Sequence, residues 1–312
     1  MERIEEELSR YMDSEIELLL KIGNYILSSG GKRLRPVLVL IFSKLLKGRN
    51  EDRDFPLAIA MEYLHTASLL HDDVVDGAET RRGKPSANRV FGNDMVVLTG
   101  DYMYANALYL FSIYGDLDMI RNVSDSVKKM SEGQLLELKK IGDLDMSFEE
   151  YFKILEGKTA VLFGSCCYVG AALGKGSMEQ KESAYRYGLN IGLAFQLIDD
   201  YLDYSSSEEK LGKPVCNDLR EGKITYPLLS ILDKLSNEEK ELVKNVIRDI
   251  NPGAEQINQI KEIVQKKGGM INTIKKAKEL VNNALYELEN FPDNEYLEKL
   301  RELAKFIVER EF

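Results

Sequence analysis

"HDDVVDGAETRR", from His71 to Arg82, sets Asp72, Asp73 and Asp76 in otherwise apolar chain and follows them directly with Arg81 and Arg82. "FQLIDDYLD", from Phe195 to Asp203, repeats the aspartate spacing with Asp199, Asp200 and Asp203. Both blocks fall at the ends of stretches whose apolar residues recur at helical spacing, Pro56 to Asp76 and Glu179 to Tyr204. On a helix, positions four apart share a face. Asp72 therefore stands over Asp76, with Asp73 beside them, and Asp199, Asp200 and Asp203 repeat the arrangement. Stacked like charges repel by a few tenths of a kcal/mol per pair, so cations are needed to compensate. A solvated helix face does not explain the blocks, because "SLLHDDVVD" and "AFQLIDDYLD" embed them in apolar residues. Hard carboxylate oxygens suit Mg2+, which takes one or two carboxylates and fills its shell with water and phosphate oxygens.

Outward from these blocks the chain reads as helix almost throughout. Ser14 to Ser29 is periodic and stops at Gly30-Gly31, and Pro36 fits the first turn of a helix running to about Leu46. Asp94 to Tyr114, Leu117 to Lys140 and Phe148 to Leu173 follow, with several more helices after Pro227. "MVVLTG" has the composition of a strand but sits inside a longer helical pattern. No solenoid period or low-complexity linker divides the sequence. The expectation is one all-α domain over residues 1–312, with Tyr204 to Lys223 as its long polar connection.

Bulk properties narrow the partners. Hydrophobic residues make up 44% of the 312, enough for a packed core. A net charge of −10 disfavours nucleic acid, whose phosphates need a basic face. The longest apolar run, "VLVLIF" at Val37 to Phe42, is too short to span a bilayer, and the acidic start "MERIEEELSR" is not a signal peptide. Cys166, Cys167 and Cys216 form neither a disulfide framework nor a metal site, so buried reduced thiols in a cytoplasmic protein are expected.

Cations to share the site with phosphate are also present. "SGGKRLRP" places Lys32, Arg33 and Arg35 around a helix N-terminus, where backbone N–H groups favour anions. His65 lies two turns before Asp72 on the same face. Arginine forks match phosphate oxygens bidentately. Jointly these residues describe a pocket for two diphosphates, one held through metal and one through basic side chains.

"GGKRLRP", "LHTASLLHDDVVDGAETRRG", "GKTAVLFG", "FQLIDDYLDY" and "GKPVCNDLREGKITYP" resemble, in order, the motifs of the trans-isoprenyl diphosphate synthases, or polyprenyl synthetases. The resemblance implies the isoprenoid synthase fold, a bundle of long helices around a central cavity with the two aspartate blocks facing each other across its mouth. It also implies a homodimer. The reaction implied is condensation of an allylic diphosphate with isopentenyl diphosphate to give an all-trans polyprenyl diphosphate. By the same resemblance, Asp72, Asp76 and Asp199 are magnesium ligands, supported by Asp73, Asp200 and Asp203. Lys32, Arg35, His65 and Arg82 hold isopentenyl diphosphate. Arg81, Lys158, Thr159, Gln196, Lys213 and Lys223 contact the allylic diphosphate. A terpene cyclase fits less well, since its second metal motif mixes Asn, Ser or Thr with Glu and it lacks the second-substrate set. A non-catalytic subunit of a heteromeric synthase tends to lose the aspartates that are all retained here.

Product length rests on Ala67 and Ser68, five and four residues before Asp72 and one turn deeper along the helix. Relatives that stop at farnesyl or geranylgeranyl length often carry a large aromatic side chain on this turn. The small pair implies a hexaprenyl to decaprenyl product. Geranylgeranyl or farnesyl diphosphate synthase and the catalytic half of a heteromeric synthase stay open as alternatives. A peripheral membrane contact for product release is also expected.

Overall fold

The structure is a computed structural model that describes residues 2–46, 51–205, 216–249 and 252–309. Its contacts separate into two compact units, each assembled from separated stretches of chain: Met1–Asp125, Ser165–Tyr185 and Asn290–Leu297 in the first, and Ser126–Gly164, Arg186–Glu289 and Glu298–Phe312 in the second.

The first unit is built around the helix that carries the first aspartate block. Its elements begin with α1 (Glu2–Arg10), α2 (Glu17–Leu27), α3 (Leu34–Leu45) and α4 (Glu51–Val75). A two-residue hairpin (Thr80–Arg81 with Lys84–Pro85), α5 (Ala87–Phe91) and α6 (Asn93–Tyr114) follow. Helix α4 is buried on every side over Leu57–Leu64, which is why that stretch shows so little amphipathic contrast. Of the acids buried on it, Asp54 Oδ2 accepts the Ser43 hydroxyl at 3.0 Å and Glu62 Oε1 accepts from Arg33 Nη1 at 2.9 Å. Helix α4 starts five residues earlier than the expected Pro56, which lies inside it. As the sixth residue of the helix, Pro56 lies just past the four unpaired N–H groups of the first turn and forgoes a single bond, the one to the Asp52 carbonyl. Helix α2 starts at Glu17 rather than Ser14, since the Ser14 Oγ turns back to accept the Ile16 N–H at 3.1 Å.

The hairpin turns at Arg82 and Gly83, both with positive φ (52° and 75°), the backbone a tight hairpin turn demands. Glycine at only one of the two positions hid this turn from the sequence. Later in the chain, α9 (Val161–Leu173) packs on α3 at close range: a methyl group at Gly170 would lie 2.4 Å from the Val39 carbonyl oxygen.

The second unit carries the second aspartate block on α10 (Met178–Ser205). It also takes in the greater part of α7 (Leu117–Lys140) and α8 (Phe148–Leu155). Helix α8 opens with a reciprocal cap in which Ser147 Oγ accepts the Glu150 N–H and the Glu150 carboxylate accepts the Ser147 N–H. The expected single helix from Phe148 to Leu173 is interrupted by a π turn, Glu156–Ala160. Beyond α10, helices over Asn237–Arg248, Ala254–Lys266, Gly269–Glu287 and Glu295–Glu309 follow. Cys166, Cys167 and Cys216 are buried free thiols, as expected.

Candidate active site

In the first unit, the C-terminal turns of α4 separate the three aspartates by environment. Asp76 is exposed and Asp72 half-buried, whereas Asp73, 0% exposed, faces inward. One oxygen of Asp73, Oδ1, accepts Arg81 Nε at 2.7 Å and lies 2.5 Å from Arg81 Nη2. Geometry explains the split: Asp72 and Asp76 share a face, and Asp73 sits about 100° around the helix. Arg81 thus commits Nε and Nη2 to Asp73, an engagement that sequence alone does not reveal.

The expected cations for the second diphosphate come together near the start of α3. Burial first, and then the charges of Arg35, Arg82, Arg81 and Arg33, hold the His65 pKa well below its ordinary value, so the imidazole is neutral. Burial, together with Arg33 and Arg81, likewise lowers Arg82. The Arg82 guanidinium lies over Gly31, where a Cβ would stand 3.0 Å from Arg82 Nη1. The bare glycine makes room for the arginine. Arg33 has a different role from its neighbours in the motif. It is 4% exposed, adopts a left-handed backbone (φ 48°) and ends in an ion-pair network. Its Nε donates to Glu5 at 2.8 Å, Nη1 to Glu62 at 2.9 Å and Nη2 to the Leu27 carbonyl at 2.6 Å. Those bonds hold the residue that directly precedes α3, between Lys32 and Arg35.

In the second unit, Lys158, Thr159, Gln196, Asp200, Asp218 and Lys223 line one cleft of about 110 Å³. Four of the residues that the resemblance assigned to the allylic diphosphate (Lys158, Thr159, Gln196 and Lys223) therefore converge on a single space with Asp200. Lys158 is paired with Glu137. Burial opposes the Lys223 ammonium, but Glu137 and Glu221 outweigh it and raise the pKa, so the charge persists. Asp200, 2% exposed, accepts the Tyr151 hydroxyl, the Gln196 amide at 3.3 Å and the Tyr226 N–H at 3.5 Å. Burial still raises its pKa to about 6 against those bonds, aided by the charge of Asp199. Asp203 turns elsewhere, its carboxylate accepting the N–H groups of Asn217 and Asp218, each at 3.1 Å. It secures the start of the short helix Asn217–Arg220. Lys213 lies outside the described residues.

The π turn sets the position of Lys158 and Thr159. A methyl group on Gly157 would meet the Lys129 carbonyl oxygen at 2.6 Å, and one on Gly133 would meet Lys158 N at 2.9 Å. Backbone therefore rests directly on backbone between α7 and the turn. Tyr151, Glu137 and Asp218 are the site residues absent from the sequence-based assignment, whereas Arg33, read there as a cation for phosphate, is engaged by Glu5 and Glu62 instead. None of them announces itself by spacing, though "GQLLELKK" does place Glu137 four residues beyond Gly133 on α7.

Of the pair expected to set product length, Ala67 is 0% exposed and Ser68 half-buried, its Oγ donating to the His65 carbonyl at 2.8 Å.

Asp72, Asp76 and Asp199 carry the hard carboxylate oxygens that a divalent cation prefers. Among the described residues, no three His, Cys, Asp or Glu side chains are gathered into a ready ligand set.

A family model described as polyprenyl synthetase matches residues 16–267. Octaprenyl diphosphate synthase of Escherichia coli is 35% identical over 300 residues, spanning 96% of this chain and 92% of that protein. A short chain isoprenyl diphosphate synthase of Methanothermobacter thermautotrophicus is 36% identical over 315 residues, spanning 99% and 95%. Among solved structures, polyprenyl synthase of Caulobacter crescentus, complexed with calcium and isoprenyl diphosphate, matches with a TM-score of 0.93. It is 34% identical and covers 99% of this chain and 94% of that one.

Proposed function

The chain belongs to the polyprenyl synthetase family, and from that premise we propose that it is a trans-prenyltransferase joining an allylic diphosphate to isopentenyl diphosphate. The observation that carries this reading is the convergence of Lys158, Thr159, Gln196 and Lys223 on one cleft with Asp200 of the second aspartate block. In this reading residues 1–312 work as a single polyprenyl synthetase domain with the all-α isoprenoid synthase fold.

In the reaction, the C1–O bond of the allylic substrate breaks and diphosphate leaves with the electron pair. The double bond of isopentenyl diphosphate then attacks the allylic cation. Loss of a proton restores an alkene five carbons longer. Asp72, Asp76 and Asp199 would hold magnesium, which would supply positive charge for the departing diphosphate. Lys158 and Lys223 add fixed positive charge, and Thr159 and Gln196 orient the group by hydrogen bonds. Arg81 keeps Nη1 for the same diphosphate while its other nitrogens restrain Asp73. Lys32, Arg35 and Arg82 clamp isopentenyl diphosphate, and neutral His65 offers a donor without adding charge. No protein nucleophile is required.

The small residues Ala67 and Ser68 support a hexaprenyl to decaprenyl product. Incubation of the purified chain with isopentenyl diphosphate and each allylic starter, followed by sizing of the products, tests both parts. No elongation from any starter sinks the prenyltransferase, and a product that stops at geranylgeranyl sinks the length assignment.

The enzyme works as a homodimer in this reading, supported by an apolar stripe on α6. Met95, Leu98, Tyr109 and Ile113 are 43%, 62%, 63% and 51% exposed and fall within about a 60° arc of the helix. Among the described residues, no helix is long and apolar enough to cross a membrane. We place the enzyme in the cytoplasm, touching a membrane only peripherally to release product.

A further inference from the structure

Tyr151 is not among the residues assigned to substrate or metal, yet its hydroxyl is spent on the second aspartate block. The ring is 2% exposed and packs against Phe152 and Tyr226, with centroids 5.4 and 5.8 Å away. Its hydroxyl donates to Asp200 Oδ2. The other oxygen, Oδ1, accepts the Gln196 amide at 3.3 Å, and the Gln196 Oε1 accepts the Thr159 hydroxyl at 3.2 Å. Tyr151 and Thr159 are on the same stretch of chain, Tyr151 before the bulge that begins at Glu156 and Thr159 within it. The hydrogen bonds Tyr151–Asp200–Gln196–Thr159 therefore close into a ring with the backbone from residue 151 to residue 159.

We propose that Tyr151 is a positioning residue, whose bond to Asp200 closes this ring and fixes the π turn bearing Lys158 and Thr159 against the aspartate helix α10. A π turn is a poor helix left to itself and reverts readily to α geometry. A side-chain bridge spanning it opposes that reversion. The Gly133–Gly157 contact fixes the turn's distance from α7, but it does not tie the turn to Gln196 and Asp200. Tyr151 supplies that tie from the wall of the cleft itself. This inference deepens the allylic-diphosphate assignment and rests on it.

The test is Tyr151→Phe in the full chain, which keeps the ring and removes the one hydroxyl. The control is Tyr226→Phe, because Tyr226 reaches Asp200 through its backbone N–H at 3.5 Å rather than through its hydroxyl. At saturating magnesium, Tyr151→Phe is expected to raise the KM for the allylic substrate about tenfold, as loss of a buried bond to a charged group would. The KM for isopentenyl diphosphate should stay within about twofold of the parent. Calorimetric titration with inorganic pyrophosphate and magnesium should show the same weakening. Tyr226→Phe should match the parent in both measurements. An unchanged allylic KM, an equal rise in both KM values, or the same loss in Tyr226→Phe would each overturn the role. A parent chain that elongates no allylic diphosphate would instead defeat the prenyltransferase assignment. The pyrophosphate titration would then still decide the ring: parental binding by Tyr151→Phe overturns it.

Discussion

Arg33 donates Nη1 to Glu62 at 2.9 Å with both side chains less than a twentieth exposed, a buried ion pair at the entry to α3. Removing one partner of such a pair strands the other charge. Arg33→Met should therefore destabilise the protein by about 3–5 kcal/mol. Pairing it with Glu62→Leu should recover most of that loss. Denaturation midpoints of the two variants measure the difference, and a double variant no better than the single one would count against the pairing.

Asp72 and Asp199 each supply a metal-facing carboxylate in the proposed reaction. Asp72→Ala or Asp199→Ala should lower turnover by about a hundredfold or more while the circular dichroism stays parental. Near-normal rates at saturating magnesium in either variant would remove that residue from the metal set.

The two diphosphates are separated by the basic residues they use. Arg35→Ala should raise the KM for isopentenyl diphosphate much more than that for the allylic partner. Steady-state kinetics with each substrate varied in turn would show it. Equal effects on the two constants would mean that Arg35 does not discriminate between them.

His65 links stability to acid. Its folded pKa lies well below 6.5, through burial and through Arg35, Arg82, Arg81 and Arg33. Below about pH 6.5 the unfolded chain takes up a proton that the folded chain refuses. The contribution is therefore whole above that pH and lost on acidification, by at most about 1.4 kcal/mol per pH unit. His65→Gln should flatten the decline between about pH 6.5 and 5. An unchanged slope would mean that the imidazole accepts its proton in the folded protein.

Product length can be probed at two adjacent sites with different room. Ser68 is half-buried, so Ser68→Phe should shorten the main product and leave the first condensations intact. Ala67 is fully buried, and Ala67→Phe should also lower stability by about 1–3 kcal/mol through overpacking. Chromatography of the products from both variants settles whether either position forms the floor.

Helices, the aspartate blocks and most of the cations were legible because spacing and residue type carry them. The bounds of α7 (Leu117–Lys140) match the periodicity, and Lys158, Thr159, Gln196 and Lys223 meet in one cleft. Sequence is silent where a role depends on what lies opposite. Asp72 and Asp73 look equivalent in "HDD", yet only a folded helix shows that Asp73 faces Arg81. Arg33 and Arg35 look equivalent in "KRLR", yet Glu5 and Glu62 claim the first. The π turn was invisible for a related reason. "ILEGKTAVLF" has good helical periodicity, and the bulge is imposed by backbone contact across Gly133 and Gly157.

That bulge makes the number of residues between Phe148 and Leu173 itself a constraint. A one-codon deletion within Glu156–Ala160 would leave a continuous α-helix, a better-formed element by every local measure. The same deletion would turn the upstream segment by about 100° and draw it along by about 1.5 Å relative to the lysine. Tyr151 would then point away from Asp200. Substitutions in this stretch are graded changes, whereas an insertion or deletion rewinds it like a misset gear, exchanging the working register for a sturdier and idle one.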